Sequence, residues 1–176
     1  MVNVQFDEVL GYPLATFYDE DGLLASSFYT LIGDFDLKDE ATRFKSLIEA
    51  SSEVTSKEIA AAIEGYNSGQ PSLLHKLAKS KNSLHGGFYG LAQSALDQVA
   101  FGETITYRDL ASLAGRPKAI RAAASACATN RLPFFRPCHR VIRSDGSLGG
   151  YLYGLEVKMA LIDHEAKTAN MTQIRN

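Results

Sequence analysis

TYRDLASLAGRPKAIRAAASACA, residues 106–128, is the stretch whose pattern indicates an architecture most clearly. Thr106 is of a type that caps helix N-termini and Gly115 of a type that ends helices, so one helix is predicted over 107–114. Pro117 stands where the first turn of a second helix is expected, and that helix runs to the end of the stretch. Two short helices joined by a tight turn with glycine are typical of a helix-turn-helix, although many such hairpins bind nothing.

The second predicted helix carries almost only small side chains, with alanine at six of the ten positions 119–128. Core helices normally carry Leu or Ile, so this helix is predicted to fill a core poorly. Small side chains instead let a backbone approach a neighbouring surface. Arg121, Ser125 and Ala128 share one helix face by their spacing. The pattern favours a helix that lies against DNA with one arginine projecting, and tight packing inside the domain is the alternative.

Charge is distributed unevenly along the 176 residues. Residues 1–85 hold 7 Lys and Arg against 13 Asp and Glu, and residues 86–176 hold 11 against 7, so the formal net charge of −2 hides halves of −6 and +4. Residues 105–145 include eight basic residues but only two acidic ones, Asp109 and Asp145. A basic segment in an otherwise acidic chain indicates a surface for a polyanion, with a solvated face that binds nothing as the alternative.

The composition is that of an ordinary globular protein, with 45% hydrophobic and 22% charged residues, and the length allows one core or two small ones. No apolar run approaches the roughly 20 residues of a membrane span, and Asp7 and Glu8 stand where a signal peptide would be apolar. An intracellular protein is therefore expected. Cys127 and Cys138 are the only cysteines, too few for a zinc set and unsuited to a structural disulfide in a reducing cytosol.

The first part of the chain predicts strands followed by helices. Apolar runs at Leu14–Tyr18 and Leu23–Thr30 flank Glu20-Asp21-Gly22, and Asp-Gly is a strong hairpin signal. Apolar residues then recur at helical spacing over Asp39–Ala50 and Ser56–Tyr66. No nucleophile, base or metal-ligand group is recognisable in this half, so its predicted role is structural.

A polar, glycine-terminated segment predicts a linker at 81–87. It would separate a structural α/β domain at 1–80 from a second domain at 88–170, which opens with a predicted helix over Phe88–Ala100.

Residues 136–142, RPCHRVI, carry the clearest chemistry in the chain. Cys138 is followed directly by His139 and flanked by Arg136 and Arg140. A thiol is a weak nucleophile near its ordinary pKa of about 8.5, and a neighbouring base or cation raises its thiolate fraction. Neighbouring residues of a strand point to opposite faces, so His139 can reach Cys138 only if the chain turns. Pro137, directly before Cys138, favours such a turn. The segment predicts a reactive thiol, with an inert buried thiol as the alternative.

Downstream, residues 144–151 form a glycine-rich loop that could close over a pocket, and residues 154–166 show helical spacing. The buried stripe of that helix is predicted to contain Leu155, Met159 and Ile162. Glu165 falls at the edge of this stripe, so its carboxylate can reach inward. The alternative is a surface charge near the helix end, which is slightly unfavourable against the helix dipole.

Taken together, these residues resemble the O6-alkylguanine-DNA alkyltransferase family. The signature Pro137-Cys138-His139-Arg140-Val141 is highly specific. The family's other motifs follow in order: Tyr107, Arg121 on the alanine-rich helix, Asn130, then after the signature Gly150-Tyr151 and His164-Glu165. The resemblance is close over Phe88–Ala166, and over residues 1–80 it is limited to the strand-then-helix order and Tyr66-Asn67-Ser68-Gly69. It implies a two-domain α/β (α+β) fold, with an N-terminal ribonuclease-H-like domain and a mostly helical C-terminal domain that contains the helix-turn-helix.

The resemblance implies a DNA-repair protein that flips O6-alkylguanine out of duplex DNA and transfers the alkyl group irreversibly to its own Cys138, once per molecule and without a cofactor. In this scheme His139 deprotonates Cys138 through a water, Glu165 orients His139, and Asn130 holds the active-site turn. Tyr107 helps to rotate the nucleotide and donates a proton to the departing guanine.

For the partner, the resemblance implies minor-groove binding of double-stranded DNA, where small side chains allow a close approach. Arg121 would fill the gap that the flipped nucleotide leaves. The other residues expected to face the DNA are Tyr107, Ala122, Ser125, Arg116 and Lys118. The residues expected to line the substrate pocket are Tyr151, Leu152, Tyr153, Gly150 and Pro133. A monomer is expected, in the cytoplasm or at the nucleoid, with no membrane contact.

Three positions depart from the family's pattern. Arg136 stands where many members carry an aliphatic residue. Leu152 and Tyr153 replace small residues, and Tyr153 could reshape the pocket entrance and so the preference among adducts. The zinc ligands of some members' N-terminal domains are missing here, so zinc is not expected.

Two other functions remain open. A non-repairing, alkyltransferase-like lesion-recognition module lacks the reactive cysteine, so Cys138 argues against it. A cysteine hydrolase needs an oxyanion hole and a water route to an acyl intermediate, and that chemistry does not explain an alanine-rich helix that bears Arg121.

Overall fold

The computed structural model describes residues 3–19, 22–28, 56–78 and 86–174, and its content is mixed α/β. These residues fall into two compact units. The first holds the described residues up to 78 together with Arg131–Phe135, and the second holds the other described residues. Most of the predicted linker lies outside the described residues, so the proposed domain boundary stays a prediction. No helix in the described ranges has the length and apolar character that a membrane crossing requires.

The first unit contains a three-stranded antiparallel sheet in the order β1-β2-β3. Its strands are β1 (Asn3–Val9), β2 (Tyr12–Asp19) and β3 (Gly22–Phe28). Asp19 pairs with Gly22, so the predicted pairing of these two runs into a hairpin is confirmed. Strand β1 was not predicted, because its polar and acidic residues hide the two-residue alternation of an edge strand.

Helix α1 (Ser56–Asn67) confirms the helix predicted there, and a short 3-10 turn leads into α2 (Leu74–Ala78). Asn67 fastens α1 to the β1–β2 turn: its amide donates to the Glu8 carbonyl (3.0 Å) and its side-chain oxygen accepts from Leu10 N (3.2 Å). The helix predicted over 39–50 lies outside the described residues.

An aromatic cluster forms part of the first unit's core. The Phe134 ring packs edge-on against Tyr66, with ring centres 4.7 Å apart, and also contacts Phe28 and Phe135. Ser26 holds the segment that carries Phe134, because Ser26 N donates to the Arg131 carbonyl (2.8 Å). Buried aromatic pairs in this geometry contribute about 0.5–1.5 kcal/mol beyond their burial.

The second unit is mostly helical. Its helices are α3 (Gly87–Leu96), α4 (Tyr107–Leu113), α5 (Ile120–Ala128) and α6 (Leu155–Ile174). Two short strands, β4 (Ile105–Thr106) and β5 (Val141–Ile142), pair in parallel, and a single 3-10 turn over Cys138–Arg140 precedes β5. This pairing brings the start of α4 and the Cys138 turn to the same two-stranded ladder.

Helix α4 begins and ends as the sequence predicts. The Thr106 side chain accepts from Asp109 N (3.2 Å) while the Asp109 carboxylate accepts from Thr106 N (2.9 Å), which forms a capping box. Gly115 has a φ of +78° and follows the helix, and Arg116 N donates to the Ala111 carbonyl (2.9 Å), as in a Schellman motif. The cap fixes the first residue of the helix, which is Tyr107.

The predicted start of the next helix is wrong. Pro117 lies in a turn in which Ala119 N donates to the Arg116 carbonyl (2.8 Å), and α5 begins only at Ile120. Proline is favoured at the second position of such a turn for the same fixed φ that suits a helix start, so the sequence signal fits both structures.

The prediction that the alanine-rich helix fills a core poorly is also wrong for one of its faces. Ala123 and Ala126 are fully buried in the second unit's core, together with Leu96 of α3 and Leu110 of α4. Alanines here let the helices approach, and leucines from the neighbours supply the apolar area, about 1.5–3 kcal/mol for each fully buried leucine. The opposite face is exposed and carries Arg121, Ser125 and Ala128.

The buried stripe predicted for α6 is wrong as well. Leu155 and Met159 are 50% and 51% exposed, and Ile162 is only partly buried. The side chains that face inward are Val157, Lys158, Leu161 and Glu165. Lys158 and Glu165 occupy this face because His139, Arg140 and the Val141 carbonyl act as their polar partners. The helix also extends to Ile174, beyond the predicted end.

Candidate active site

The Arg136 carbonyl group links the turn that carries Cys138 to Asn130. The Arg136 carbonyl accepts from Cys138 N (2.8 Å) and from the Asn130 side-chain amide (2.9 Å). The thiol is 6% exposed, at the edge of the second unit's core. Asn130, which lies outside the turn, is thus hydrogen-bonded to it.

His139 and Glu165 meet inside the second unit. His139 Nε2 lies 2.8 Å from Glu165 Oε1, and both side chains are buried. The same carboxylate accepts from Arg140 Nε (2.7 Å), from Arg140 Nη2 (3.1 Å) and from Gly102 N (3.3 Å). Arg140 also donates to the Val99 carbonyl (2.7 Å), so the network is anchored on the chain between α3 and β4.

Protonation in this network follows from its geometry. Burial acts to raise the pKa of Glu165, but the neighbouring His139 and Arg140 outweigh it and lower that pKa from 4.5 to about 2. Burial lowers the pKa of His139 although Glu165 acts to raise it, so the imidazole is neutral near pH 7. Because the Glu165 carboxylate can only accept, the imidazole proton resides on Nε2. Its other nitrogen, Nδ1, is buried and has no hydrogen-bond partner among the described residues, so it keeps a lone pair for a proton.

The surroundings of Cys138 shift the pKa of its thiol in opposite directions. Burial raises the pKa of the thiol, while a hydrogen bond from Asn130 and the positive charges of Lys158 and Arg136 act to lower it. Burial prevails, so the resting group is a thiol and the reaction requires a base. The nearby neutral imidazole of His139 can serve as that base through a water.

Arg136 is buried and lies 3.5 Å from Asp97, at the end of α3. Burial lowers the pKa of this guanidinium and Asp97 acts to raise it. The two arginines that flank Cys138 in sequence are thus both paired with carboxylates, Arg136 with Asp97 and Arg140 with Glu165. Sequence reasoning treated them only as a cationic environment for the thiol and missed both partners.

Lys158 is the other residue that sequence reasoning missed. It is 1% exposed, and its ammonium donates to the carbonyls of Val141 (2.6 Å) and Leu148. A lysine one turn into a predicted amphipathic helix is ordinarily a solvated residue. The available signal was its spacing of seven residues from Glu165, which places both on one helix face.

Tyr107 is half-buried and lies against the glycine-rich loop. A Cβ at Gly149, whose φ is +69°, would be 2.9 Å from the Tyr107 hydroxyl oxygen and 3.2 Å from its ring. Burial raises the pKa of Tyr107, so its hydroxyl is protonated near neutral pH and can donate. The close approach of ring and loop explains why a glycine stands at position 149.

We expect Gly149→Ala to lower both the free energy of unfolding and the rate of the alkyl transfer that the family resemblance implies. The backbone conformation alone costs an L residue about 1–2 kcal/mol, and the added methyl also displaces Tyr107. Gly146→Ala is the matched control, because Gly146 has a φ of +84° with nothing within 4 Å of its Cβ. Urea unfolding and single-turnover transfer would be measured on both variants. Equal transfer rates in the two would mean that the Tyr107 contact is unimportant.

The residues predicted to face DNA lie on one part of the second unit. Arg116 and Lys118 in the turn and Arg121 and Ser125 on α5 are exposed, while Ala122 is partly buried. Arg116 also lies over the Phe88 ring at 5.7 Å.

The predicted pocket residues are divided between the two units. The rings of Tyr151 and Tyr153 pack edge-on with centres 5.6 Å apart, and Gly150 and Leu152 are exposed. Pro133 belongs to the first unit, where its carbonyl accepts from the Ser26 hydroxyl (2.7 Å). Roles of these residues in a pocket stay predictions.

Similarity to known proteins is strongest in the region that carries this network. The family model for the DNA-binding domain of 6-O-methylguanine DNA methyltransferase matches residues 87–167. A methylated-DNA–protein-cysteine methyltransferase of Methanosarcina barkeri is 38% identical over 110 residues, which make up 62% of this chain and 67% of that protein. This chain belongs to the methylated-DNA–protein-cysteine methyltransferase family.

Other family members show how far the similarity extends. The bifunctional transcriptional activator and DNA repair enzyme Ada of Escherichia coli is 51% identical over 73 residues, or 42% of this chain and 21% of that protein. The chain thus spans about a fifth of that relative's length. The crystal structure of Mycobacterium tuberculosis OGT in complex with DNA has a TM-score of 0.68 at 22% identity, over 95% of this chain and 93% of that one. That likeness shows a shared fold.

Proposed function

We propose that this protein removes the alkyl group from O6-alkylguanine in double-stranded DNA and keeps it on Cys138. The observation that carries the proposal is the buried His139–Glu165 pair beside that thiol. Burial keeps His139 neutral, and Glu165 holds the imidazole proton on Nε2, so Nδ1 has an available lone pair. The membership of the chain in a family of cysteine methyltransferases supports the same reaction.

The chemical step is a single displacement. His139 Nδ1 takes the thiol proton of Cys138 through a water, and the thiolate sulfur attacks the alkyl carbon in line. A carbon–sulfur bond forms as the carbon–O6 bond breaks, and its electron pair passes to the guanine. The Tyr107 hydroxyl donates a proton to the departing base. The thioether is stable, so each molecule reacts once, and no cofactor takes part.

Helices α4 and α5 are proposed to act as a helix-turn-helix that binds the minor groove. The exposed face of α5 has small residues, which permit a close approach, and Arg121 on this face would replace the flipped nucleotide. The other residues proposed to contact the DNA are Tyr107, Arg116, Lys118, Ala122 and Ser125.

The remaining proposals concern the protein as a whole. The β1–β3 sheet with α1 would be the core of a ribonuclease-H-like domain whose role is structural. Tyr151, Leu152, Tyr153, Gly150 and Pro133 would border the alkyl group. The protein would act as a monomer in the cytoplasm or at the nucleoid.

The test uses a duplex oligonucleotide with one O6-methylguanine. After incubation, the masses of the intact protein and of its Cys138 peptide are measured by mass spectrometry. We expect a gain of one methyl group, on Cys138 only, at no more than one per molecule, and none in Cys138→Ala. An unchanged mass with tight, lesion-specific binding would instead identify a recognition module that does not repair.

A further inference from the structure

Three cations are buried around the Cys138 turn. Arg136, Arg140 and Lys158 are 1%, 3% and 1% exposed. Arg140 is paired with Glu165 and Arg136 with Asp97, so the opposite charge cancels most of the field that each arginine would exert on other groups. Among the described residues, no carboxylate forms an ion pair with Lys158, whose described partners are two carbonyl groups. Carbonyls solvate an ammonium without cancelling its charge, so Lys158 retains a net positive field inside the site.

The two carbonyls belong to the two segments that surround Cys138. Val141 follows the 3-10 turn directly, and Leu148 precedes Gly149, against which Tyr107 packs. One ammonium therefore holds the nucleophile's turn and the glycine-rich loop at a fixed separation. Two of its three N–H groups are committed to these carbonyls, which leaves one for a further acceptor.

We propose that Lys158 is a positioning residue for the alkyl-transfer site, which ties the Cys138 turn to the glycine-rich loop and stabilises the Cys138 thiolate with its charge. This role rests on the proposed function and adds to it a cation that is present before Cys138 loses its proton. His139 becomes positive only when it takes that proton, and Glu165 then balances its charge. The choice of lysine fits the task, since its ammonium is compact and can be held by two carbonyls from separate segments.

Several charged or titratable groups surround this pair. The groups near Cys138 are Tyr107, Cys127 and Arg136, and those near Lys158 are Cys127, Arg143 and His139. Burial lowers the pKa of Lys158 and Cys138 acts to raise it. The coupling is therefore mutual, and it can be measured from either residue.

The first measurement is the rate at which iodomethane methylates Cys138, without DNA, at pH values from 5.5 to 10. Methylation is followed by mass spectrometry of the Cys138 peptide at each time point. We expect Lys158→Met to shift the midpoint of the rate-against-pH profile to higher pH. Methylation at pH 7 should be about tenfold slower than in the wild type, and the two rates should become equal at high pH. Lys158→Arg should keep the midpoint near that of the wild type. Lys167→Met is the control, since Lys167 is exposed on the same helix. An equal slowing of Lys158→Met at every pH would reveal a brace without an electrostatic effect and overturn the proposal.

The second measurement does not require Lys158→Met to fold. The side chain of Lys158 is titrated by NMR in the wild type and in Cys138→Ser, which cannot form the anion. Loss of the anion should lower the pKa of Lys158, and an unchanged value would overturn the proposal. Neither measurement involves alkylated DNA. If both effects are seen but the wild type does not demethylate the oligonucleotide, the proposed function is wrong, whereas the electrostatic coupling between Lys158 and Cys138 stands.

Discussion

Glu165→Gln is expected to slow alkyl transfer by roughly 10²–10⁴-fold and to lower the free energy of unfolding by about 3 kcal/mol. All the described hydrogen bonds to this carboxylate come from N–H donors, on His139, Arg140 and Gly102. A glutamine keeps one accepting oxygen but turns an NH₂ group toward the remaining donors, and Arg140 loses its buried counter-charge.

The loss of rate has a separate cause from the loss of stability. If the glutamine NH₂ faces His139, the imidazole satisfies it by accepting at Nε2, which moves the proton to Nδ1. The nitrogen that should take the Cys138 proton then carries one already, so the base is removed although the ring stays in place.

The measurements are single-turnover methyl transfer from the oligonucleotide and urea unfolding at pH 7. Asp163→Asn is the matched control, because it removes the same charge from an exposed position of α6. We expect it to change the rate less than twofold and stability by less than about 0.5 kcal/mol. A Glu165→Gln variant that folds and transfers at the wild-type rate would show that the Glu165 carboxylate is not needed to orient His139 in the proposed reaction.

The sequence predicted the chemistry of the site better than the packing around it. Cys138 and His139 could be grouped because they are adjacent in a proline-containing turn, and helical spacing allowed Glu165 to reach inward. The pairing of Glu165 with His139 was implied by the resemblance to the alkyltransferase family. Asp97 could not be found in this way, because it pairs with a residue 39 positions along the chain and nothing local distinguishes it from a surface carboxylate at a helix end.

The errors on α6 and α5 have one physical origin. Periodicity treats apolar residues as buried, yet the inward face of α6 holds Lys158 and Glu165 because carbonyls, His139 and Arg140 satisfy them there. Their burial leaves Leu155 and Met159 exposed on another side of the helix. On α5 the alanines were read as too small for a core, although Leu96 and Leu110 from neighbouring helices supply the missing volume. In both cases the partner across the interface sets the burial, and a single helix does not contain that information.

The stability advantage of the wild type over Glu165→Gln is expected to disappear in acid. Glu165 has a folded-state pKa of about 2 against an ordinary value of 4.5, so folding favours the ionised form. A carboxyl group with a lowered pKa contributes stability that is fully present above pH 4.5 and is lost as the pH falls toward 2. The contribution is about 3 kcal/mol, at 1.36 kcal/mol for each pH unit between the two values.

His139 acts in the same direction in the wild type. Burial lowers its pKa, so the unfolded chain takes up a proton at a higher pH than the folded protein does, and stability again falls on acidification. Other carboxylates contribute equally to both proteins and cancel in the difference between them. Urea unfolding would be measured at pH 7, 5, 4 and 3. The difference in free energy of unfolding between the wild type and Glu165→Gln should narrow only below about pH 4.5. The free energy of unfolding of Asp163→Asn should follow that of the wild type at every pH. A gap that stays constant down to pH 3 would mean that the Glu165 carboxylate is not held ionised by His139 and Arg140, and the tautomer assigned to His139 would lose its basis.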